Sequence, residues 1–496
     1  MTTVSPTLLT PYGYSSGTCG YCSPSGERSR GKTSSKYGMI TEQMTPDFYQ
    51  LLIDRGWRRS GDYIYHPDMA RTCCPQYTIR LNVNDFKGNK KHRQVINRFN
   101  RYLETGQKPG ESSTITDVNM DKQKSKRKRE GKGKGKSNVS QKNDLIDDLH
   151  TFEVRCIDKG EEDRLAHKFE TRLVPAKATT ETFELYKSYQ VAVHKDKPDK
   201  VTMRGFDRFL CGNTLVKTPI KYSENVENEI QNGKLPKDYG QYHLLYKVDS
   251  RVIGISVIDI LPSCVSSVYF IWHPDWAWAS LGKLSALYEI SLARRMKAKG
   301  VEGMKWVYMG YWIPDCQKMK YKSEYSPSEL LDPEKNIFHS LDTKLESFLI
   351  SHPTGYFPFN QIESSQPHLD DSATIDESRN KQQDKKTDSA SDMIDSDEES
   401  EEEAPSNWPN PTPPGFEEPS EISNEKLGNV LLLMGRNKFT GKGGKLVPID
   451  MLEFRNQDSM YQEIKEFIAA VGSNNIAQLD SSNSTSIAGK AILFLG

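Results

Sequence analysis

Three apolar segments joined by tight turns lie in the middle of the 496-residue chain and limit its fold more than any other feature. They span Tyr242–Val248, Val252–Leu261 and Cys264–Trp272, and turn residues occupy Asp249–Ser250 and Pro262–Ser263. Short β-prone segments separated by two-residue turns are typical of neighbouring antiparallel strands. The sequence therefore predicts an antiparallel meander at the centre of a folded domain.

After the meander, the pattern changes from strand to helix and back to strand. Ser280 is suited to cap a helix whose apolar face carries Leu284, Leu287, Tyr288 and Leu292. A further strand is predicted at Met304–Tyr308. Strands followed by a helix and another strand predict an α+β (mixed α/β) domain rather than a doubly wound sheet.

Composition divides the chain into folded and unfolded parts. Residues 106–145 nearly lack apolar side chains, and residues 361–425 hold 19 Asp and Glu against 4 Lys and Arg. Neither part buries enough surface to offset the entropy of ordering, so we expect a disordered basic linker and a disordered acidic insertion. The remaining parts are a first domain at 11–105, a second domain at 146–360, and a C-terminal segment at 426–496 that packs on the second domain.

The first domain is predicted to contain a helix at Thr45–Asp54, paired strands at 63–65 and 77–83, and a closing helix at Asn89–Leu103. The closing helix has one apolar stripe, and its remaining surface is strongly basic. A surface of this kind binds the phosphates of nucleic acids, although it is equally typical of an ordinary solvated helix. Its basic residues are Lys90, Lys91, Arg93, Arg98 and Arg101.

Four of the eight cysteines lie in the first 74 residues, as Cys19 and Cys22 and as the adjacent Cys73 and Cys74. A two-residue gap lets both thiolates of the first pair reach one ion, and four thiolates suit structural zinc or an iron–sulfur cluster. Adjacent cysteines point apart on a strand, so the second pair requires a backbone turn. Otherwise His66 is the alternative fourth ligand, and free buried thiols are the alternative to a metal site.

No apolar run approaches the ~20 residues of a membrane span, and the N-terminus lacks the features of a signal peptide. We therefore expect no membrane partner, and a cytosolic or nuclear location in which the cysteines stay reduced.

Several long motifs resemble the eukaryotic arginyl-tRNA–protein transferases. In the first domain they are CGYC (19–22), LIDRGWRRSG (52–61) and TCCPQYTIR (72–80). In the second domain they are YQVAVHKDKP (189–198), IDILPSCVSSVY (258–269), LGKLSALYEI (281–290) and YMGYWIPDCQKMKYKSEYSPSELL (308–331). The resemblance covers both domains and does not extend to the linker, the acidic insertion or the C-terminal segment.

The resemblance implies a GNAT-like acyltransferase domain preceded by a cysteine domain that holds zinc or an iron–sulfur cluster. It also implies transfer of arginine from arginyl-tRNA to the N-terminal amine of proteins that begin with Asp or Glu, which marks them for ubiquitin-dependent degradation. The basic helix is then expected to bind tRNA. One departure from acetyltransferases is informative: SLGKLS (280–285) replaces their Gly-rich phosphate turn. We therefore expect no CoA donor.

Aminolysis of an aminoacyl ester mainly requires that the two reactants are oriented. The donor guanidinium needs a carboxylate, for which Asp259 and Glu289 are the first candidates. Backbone N–H groups near Ser280 and Gly282 are candidates for the oxyanion, and His243 is a candidate proton relay. The candidates for binding the acceptor's carboxylate are Arg80, Lys283 and Lys318.

Two other functions compete with this interpretation. One is a CoA-dependent N-acyltransferase of the same fold, which the missing phosphate-loop glycines disfavour. The other is a non-catalytic, zinc-dependent RNA-binding regulator, which leaves the motifs of residues 189–331 unexplained.

Overall fold

A computed structural model describes residues 6–22, 28–110, 145–156, 165–212, 214–364, 408–435, 443–452, 457–478 and 490–493. The strands in these residues form two sheets, with helices packed around them. Most of the linker and insertion expected at 106–145 and 361–425 lies outside the described residues. No helix of the described part is long and apolar enough to cross a membrane.

The strands are β1 Thr7–Gly17, β2 Ser34–Gln43, β3 Arg58–Ser60, β4 Tyr63–Pro67, β5 Tyr77–Asn82, β6 Phe169–Pro175, β7 Thr218–Pro219, β8 Asp238–Val248, β9 Arg251–Ile260, β10 Cys264–Trp272, β11 Trp306–Trp312, β12 Ser328–Leu331, β13 Phe338–Ser340, β14 Leu431–Met434, β15 Lys445–Pro448 and β16 Ala491–Leu493.

The α-helices are α1 Pro46–Asp54, α2 Lys90–Thr105, α3 Leu145–Arg155, α4 Thr180–Tyr189, α5 Met203–Phe206, α6 Glu227–Gln231, α7 Leu281–Ala298, α8 Gln317–Lys320, α9 Thr343–Ser351, α10 Phe359–Ser364, α11 Asn424–Gly428 and α12 Gln457–Val471. Two π-helical turns, Gln190–His194 and Asp207–Cys211, continue directly from α4 and α5.

The smaller sheet has the strand order β15-β14-β16-β1-β2-β4-β3. It combines both ends of the chain, because β16 pairs with β1 in parallel and β14 pairs with β16. Helix α12 packs against β1 and shares one apolar core with α1. The sequence predicts that the C-terminal segment packs on the second domain. In the structure its apolar strands instead extend the smaller sheet along the edge of β1.

The larger sheet has the order β13-β12-β5-β11-β10-β9-β8-β6, and β7 pairs with the N-terminal end of β8. The predicted meander is confirmed, since β8, β9 and β10 are antiparallel neighbours. The long helix α7 connects β10 to β11, which run parallel. This mixed sheet with helices against it agrees with the α+β class.

Strand β5 joins the two halves of the molecule, and here the predicted strand pair is wrong. Strand β4 pairs with β2 and β3 in the smaller sheet, whereas β5 inserts between β11 and β12 of the larger one. The buried Tyr77, Ile79 and Leu81 pack into the core of the larger sheet. Helix α2 follows them into that core, so residues 77–105 are structurally part of the second domain.

Strands β10 and β11 separate soon after they begin. Their parallel pairing covers only Cys264–Ser266 against Trp306–Tyr308. Beyond it, β10 has an irregularity between Ser267 and Tyr269, and β11 has one between Tyr308 and Tyr311. Such bulges bend strands and open a sheet locally. We call the resulting gap, between Ser267–Trp272 and Met309–Trp312, the β10–β11 opening.

Helix α7 begins after Ser280, as predicted, but Ser280 does not cap it with its side chain. The residue adopts a left-handed conformation with φ of 54°, and its hydroxyl accepts a hydrogen bond from Arg98 Nη2 at 2.8 Å. The α7 N-terminus is therefore linked to the basic helix α2.

Candidate active site and cysteine centre

The four predicted cysteines meet at one point. The sulfur atoms of Cys19, Cys22, Cys73 and Cys74 all lie within 4.8 Å of one another. Cys22 Sγ is 3.3 Å from Cys73 Sγ and 3.7 Å from Cys74 Sγ. The chain turns between β4 and β5, so the two adjacent cysteines face the same point. Four thiols at these separations fit the ligand set of zinc or an iron–sulfur cluster.

His66 is not a ligand in this arrangement. Its side chain is buried beside Trp57, and Nε2 lies 3.1 Å from the carbonyl oxygen of Arg55. Burial, together with the nearby Arg55, lowers the pKa of His66 to about 4. The histidine is therefore a neutral packing residue, and the four cysteines form the centre.

Replacing Cys73 or Cys74 with Ser is expected to remove most of the bound metal, because each supplies one of four thiolates. Elemental analysis and a visible spectrum, after aerobic and anaerobic purification, measure the result. Cys156→Ser is the matched control, since Cys156 lies outside the centre. Full metal content in both ligand variants would contradict the assignment.

Glu289 lies beneath the β10–β11 opening. It is 1% exposed, and its Oε1 accepts a hydrogen bond from Ser267 Oγ at 3.4 Å, with Ser256 as a second hydrogen-bonding neighbour. Burial raises the pKa of Glu289 to about 7, and the two serines and Lys322 oppose that rise. A carboxyl that changes charge near neutral pH is suited to bind a cation or to exchange a proton.

Asp259 occupies a different place, and the structure corrects its candidate role. Its carboxylate is fully buried and accepts two hydrogen bonds from Arg59, one of them from Nε at 2.9 Å. Because both side chains are closed off from solvent, this ion pair neutralises Asp259 inside the protein. Asp259 therefore joins β9 to β3 and is not available to bind a substrate guanidinium.

His243 is likewise held by a group of the protein itself. It is 1% exposed, and its Nε2 lies 3.0 Å from the carbonyl oxygen of Leu210. Burial lowers its pKa. A different histidine lies beside the opening: His194, on the π-helical turn after α4, has Nε2 3.0 Å from the Tyr269 hydroxyl. Sequence reasoning missed His194, although it lies within the motif at 189–198.

The three cations expected to bind the acceptor's carboxylate are placed differently from one another. Arg80 pairs with Glu329 at 2.8 Å and stacks between Trp306 and Phe338. Lys283 pairs with Glu324 at 2.9 Å. Lys318 is exposed on α8. Two of the three are therefore already neutralised by carboxylates of the protein.

The α7 N-terminus remains available to an anion or oxyanion. Among the described residues, the backbone N–H groups of Leu281 and Gly282 have no hydrogen-bond acceptor, whereas those of Lys283 and Leu284 bond to the Ser280 carbonyl. N–H groups at a helix N-terminus attract negative charge. Arg98, bonded to Ser280, adds a cation beside them.

The basic face of α2 is less uniform than its sequence indicates. Lys91 pairs with Glu324 and Arg93 with Asp148, both at 2.8 Å. Lys90 and Arg101 are exposed, and Arg98 reaches Ser280. Lys90, Arg98 and Arg101 are therefore in no ion pair among the described residues and can bind phosphates. Of these three, Arg98 lies at the α7 N-terminus.

Comparison with known proteins agrees with this geometry. Residues 17–94 match the family described as "Arginine-tRNA-protein transferase, N terminus", and residues 181–332 match "Arginine-tRNA-protein transferase, C terminus". The first match contains the cysteine centre and β5, and the second contains the β10–β11 opening. A two-part chain of this kind is of the aminoacyltransferase class.

Individual proteins show which aminoacyltransferases the chain is similar to. "Arginyl-tRNA–protein transferase 2" of Arabidopsis thaliana is 28% identical over 66% of this chain and 74% of its own length. The Dictyostelium discoideum "Arginyl-tRNA–protein transferase 1" is 27% identical over 65% and 82%. "Aspartate/glutamate leucyltransferase" of Helicobacter hepaticus is 24% identical over 60% and 85%. Over both matched parts, the chain is therefore similar to the arginyl-tRNA–protein transferases.

Proposed function

We propose that the protein transfers arginine from arginyl-tRNA to the N-terminal amine of proteins that begin with Asp or Glu. The family match across both domains is the observation that carries this proposal. The acidic acceptor is supported by a related bacterial enzyme whose name specifies aspartate and glutamate. Arginine on an N-terminus would mark such proteins for ubiquitin-dependent degradation.

The β10–β11 opening is the proposed place of reaction. Parallel strands that diverge beside a helix resemble the acyl-donor cleft of the GNAT-like fold, which we propose for the larger sheet. The amine nitrogen attacks the arginyl ester carbon, the bond from that carbon to the ribose oxygen breaks, and a proton passes from the amine to that ribose oxygen, which leaves as a hydroxyl. The enzyme's contribution is orientation and charge stabilisation.

Three groups around the opening match the needs of this reaction. Glu289 is the proposed ligand of the arginine guanidinium, since it is the buried carboxyl beneath the opening without an arginine partner among the described residues. The N–H groups of Leu281 and Gly282 are placed to receive an oxyanion or a phosphate of the tRNA end. His194 is the proposed proton relay, because burial and Lys318 lower its pKa and keep the imidazole neutral.

The cysteine centre is proposed to hold one zinc ion or an iron–sulfur cluster with a structural role. It fixes the loops at Cys19–Cys22 and Cys73–Cys74, and β5 starts three residues after the second pair. Metal binding would thereby stabilise the strand that connects the two sheets. We further propose that the enzyme acts in a reducing cytosolic or nuclear compartment.

A donor comparison tests the proposal. The full chain is incubated with a peptide that begins with Asp and, in separate reactions, arginyl-tRNA, leucyl-tRNA or acetyl-CoA. We expect arginine on the peptide's N-terminus, transfer that disappears after ribonuclease treatment, and no acetylated product. An acetylated peptide would instead support the CoA-dependent alternative. Absence of any product at saturating arginyl-tRNA would leave the non-catalytic RNA-binding alternative.

A further inference from the structure

Two buried cations lie at the β11 side of the β10–β11 opening. Arg58, at the start of β3, is 6% exposed, and Lys322, in the turn after α8, is 9% exposed. Arg58 Nη2 donates to the carbonyl oxygen of Gly310 at 3.2 Å, and Lys322 Nζ donates to that of Tyr311 at 2.7 Å. The two cationic groups are near enough to interact electrostatically, since Arg58 is one of the causes that lower the pKa of Lys322.

The shape of β11 explains why these carbonyls need side-chain donors. The strand bulges between Tyr308 and Tyr311, and Gly310 has a φ of 67°, a conformation that favours glycine. Beyond Tyr308 the strand no longer pairs with β10. The two cations therefore satisfy carbonyls that the divergence of the strands leaves without sheet partners.

Among the described residues neither cation is in an ion pair, although Lys322 interacts electrostatically with the buried Glu289. No carboxylate of the described residues lies in ion-pair distance of Arg58 or Lys322, although most buried charges in proteins are paired. The guanidinium of Arg58 bonds to carbonyls of Ile53 and Trp57, and its Nε has no acceptor. Lys322 uses one of its three N–H donors among the described contacts. Burial and the nearby Arg58 lower the pKa of Lys322 to about 7.

We infer that Arg58 and Lys322 form the subsite that binds the side-chain carboxylate of the acceptor's N-terminal Asp or Glu. Two adjacent cations with free N–H donors match the two oxygens of one carboxylate. The incoming charge would neutralise the buried cations and hold the acceptor amine at the opening, above Glu289. A neutral side chain such as Asn would leave both cations uncompensated, which provides discrimination. This inference depends on the proposed function.

Lys322→Met tests the inference, since it keeps the side-chain length and removes the charge. The readout is kcat/KM for two peptides that differ only in an N-terminal Asp or Asn. We expect the Asp-over-Asn preference to fall about 10- to 100-fold, the usual effect of losing a hydrogen bond to a charged group. The preference is read at saturating arginyl-tRNA, because Lys322 also faces Glu289 and an effect on the donor is the same for both peptides. Arg58→Gln should act in the same direction.

The exposed Lys320, two residues away, supplies the matched control Lys320→Met. Lys322→Met is expected to fold with a melting temperature at or above that of the wild type, because it removes a buried charge that is in no ion pair among the described residues. An unchanged Asp-over-Asn preference in Lys322→Met would overturn the inference. A higher KM for arginyl-tRNA, together with an equal loss of kcat/KM for both peptides, would also overturn the inference. That result would mean that the cations bind the donor RNA. A wild-type enzyme that arginylates neither peptide would contradict the proposed function itself.

Discussion

Replacing Glu289 with Gln is expected to lower kcat/KM for arginyl-tRNA at least ~100-fold, as estimated from the loss of a buried charge-assisted pair with the arginine guanidinium. The variant keeps the size of the side chain and its contact with Ser267, so the opening keeps its shape. Steady-state transfer to an Asp peptide measures the effect. Glu302→Gln, at an exposed position after α7, is the matched control.

The same variant should be more stable than the wild type at alkaline pH. Burial raises the pKa of Glu289 to about 7 in the folded protein from 4.5, so the folded state holds this proton more tightly than the unfolded state. Folding stability therefore falls as the pH rises from about 4.5 to 7, by about 3 kcal/mol in total. Gln has no proton to lose, so its melting temperature should exceed the wild type's at pH 8.

At pH 5 the advantage of Gln should nearly vanish, since Glu289 is then protonated in the folded protein. The groups that face Glu289 are Ser256, Ser267, Tyr246, Tyr321, Tyr325 and Lys322, of which Lys322 also titrates near neutral pH. Lys322 should therefore be replaced by Met in parallel melts to separate the two titrations. Glu289→Gln with full activity would exclude the guanidinium role.

Replacing Asp259 with Ala is expected to destabilise the protein by about 3–5 kcal/mol, because it leaves the Arg59 guanidinium buried without its counter-ion. The pair joins β3 of the smaller sheet to β9 of the larger one, so the loss falls on the contact between the sheets. Chemical denaturation of the full chain measures the change in the free energy of unfolding.

A surface ion pair supplies the control for Asp259→Ala. Glu224 pairs with Lys299 at 2.9 Å in a half-exposed position, and Glu224→Ala should cost less than about 1 kcal/mol. The double variant Arg59→Met with Asp259→Leu should recover much of the lost stability, since it removes both charges. A loss below about 1 kcal/mol in Asp259→Ala would show that Arg59 finds another partner.

Local patterns predicted the elements whose partners are close in the chain. The β8–β10 meander follows from apolar segments and two-residue turns, and α2 follows from its apolar stripe. The pairing of β5 with β11 and β12 joins residues more than 200 positions apart. No periodicity in the sequence around Tyr77 indicates that partner, which explains the wrong pairing of β4 with β5.

In the candidate site, too, the sequence predicts groups that share a local spacing and does not predict contacts between distant residues. The cysteine spacing predicted a centre whose four sulfurs are now seen together. Two carboxylates, Asp259 and Glu289, looked equivalent because a sequence does not show which one faces a buried arginine. The sequence did not predict that Arg58 or Lys322 binds the acceptor, since burial without an ion-pair partner is visible only once the chain has folded.

The central claim is that arginyl ester and acceptor amine meet in the β10–β11 opening. The most direct measurement is a crystal structure of the full chain with an arginyl-adenosine analogue in which an amide replaces the ester. We predict the arginyl carbonyl between β10 and β11, with the guanidinium on Glu289 and the adenosine toward the α7 N-terminus. An analogue bound elsewhere, or an opening that admits acetyl-CoA and excludes the analogue, would contradict the claim.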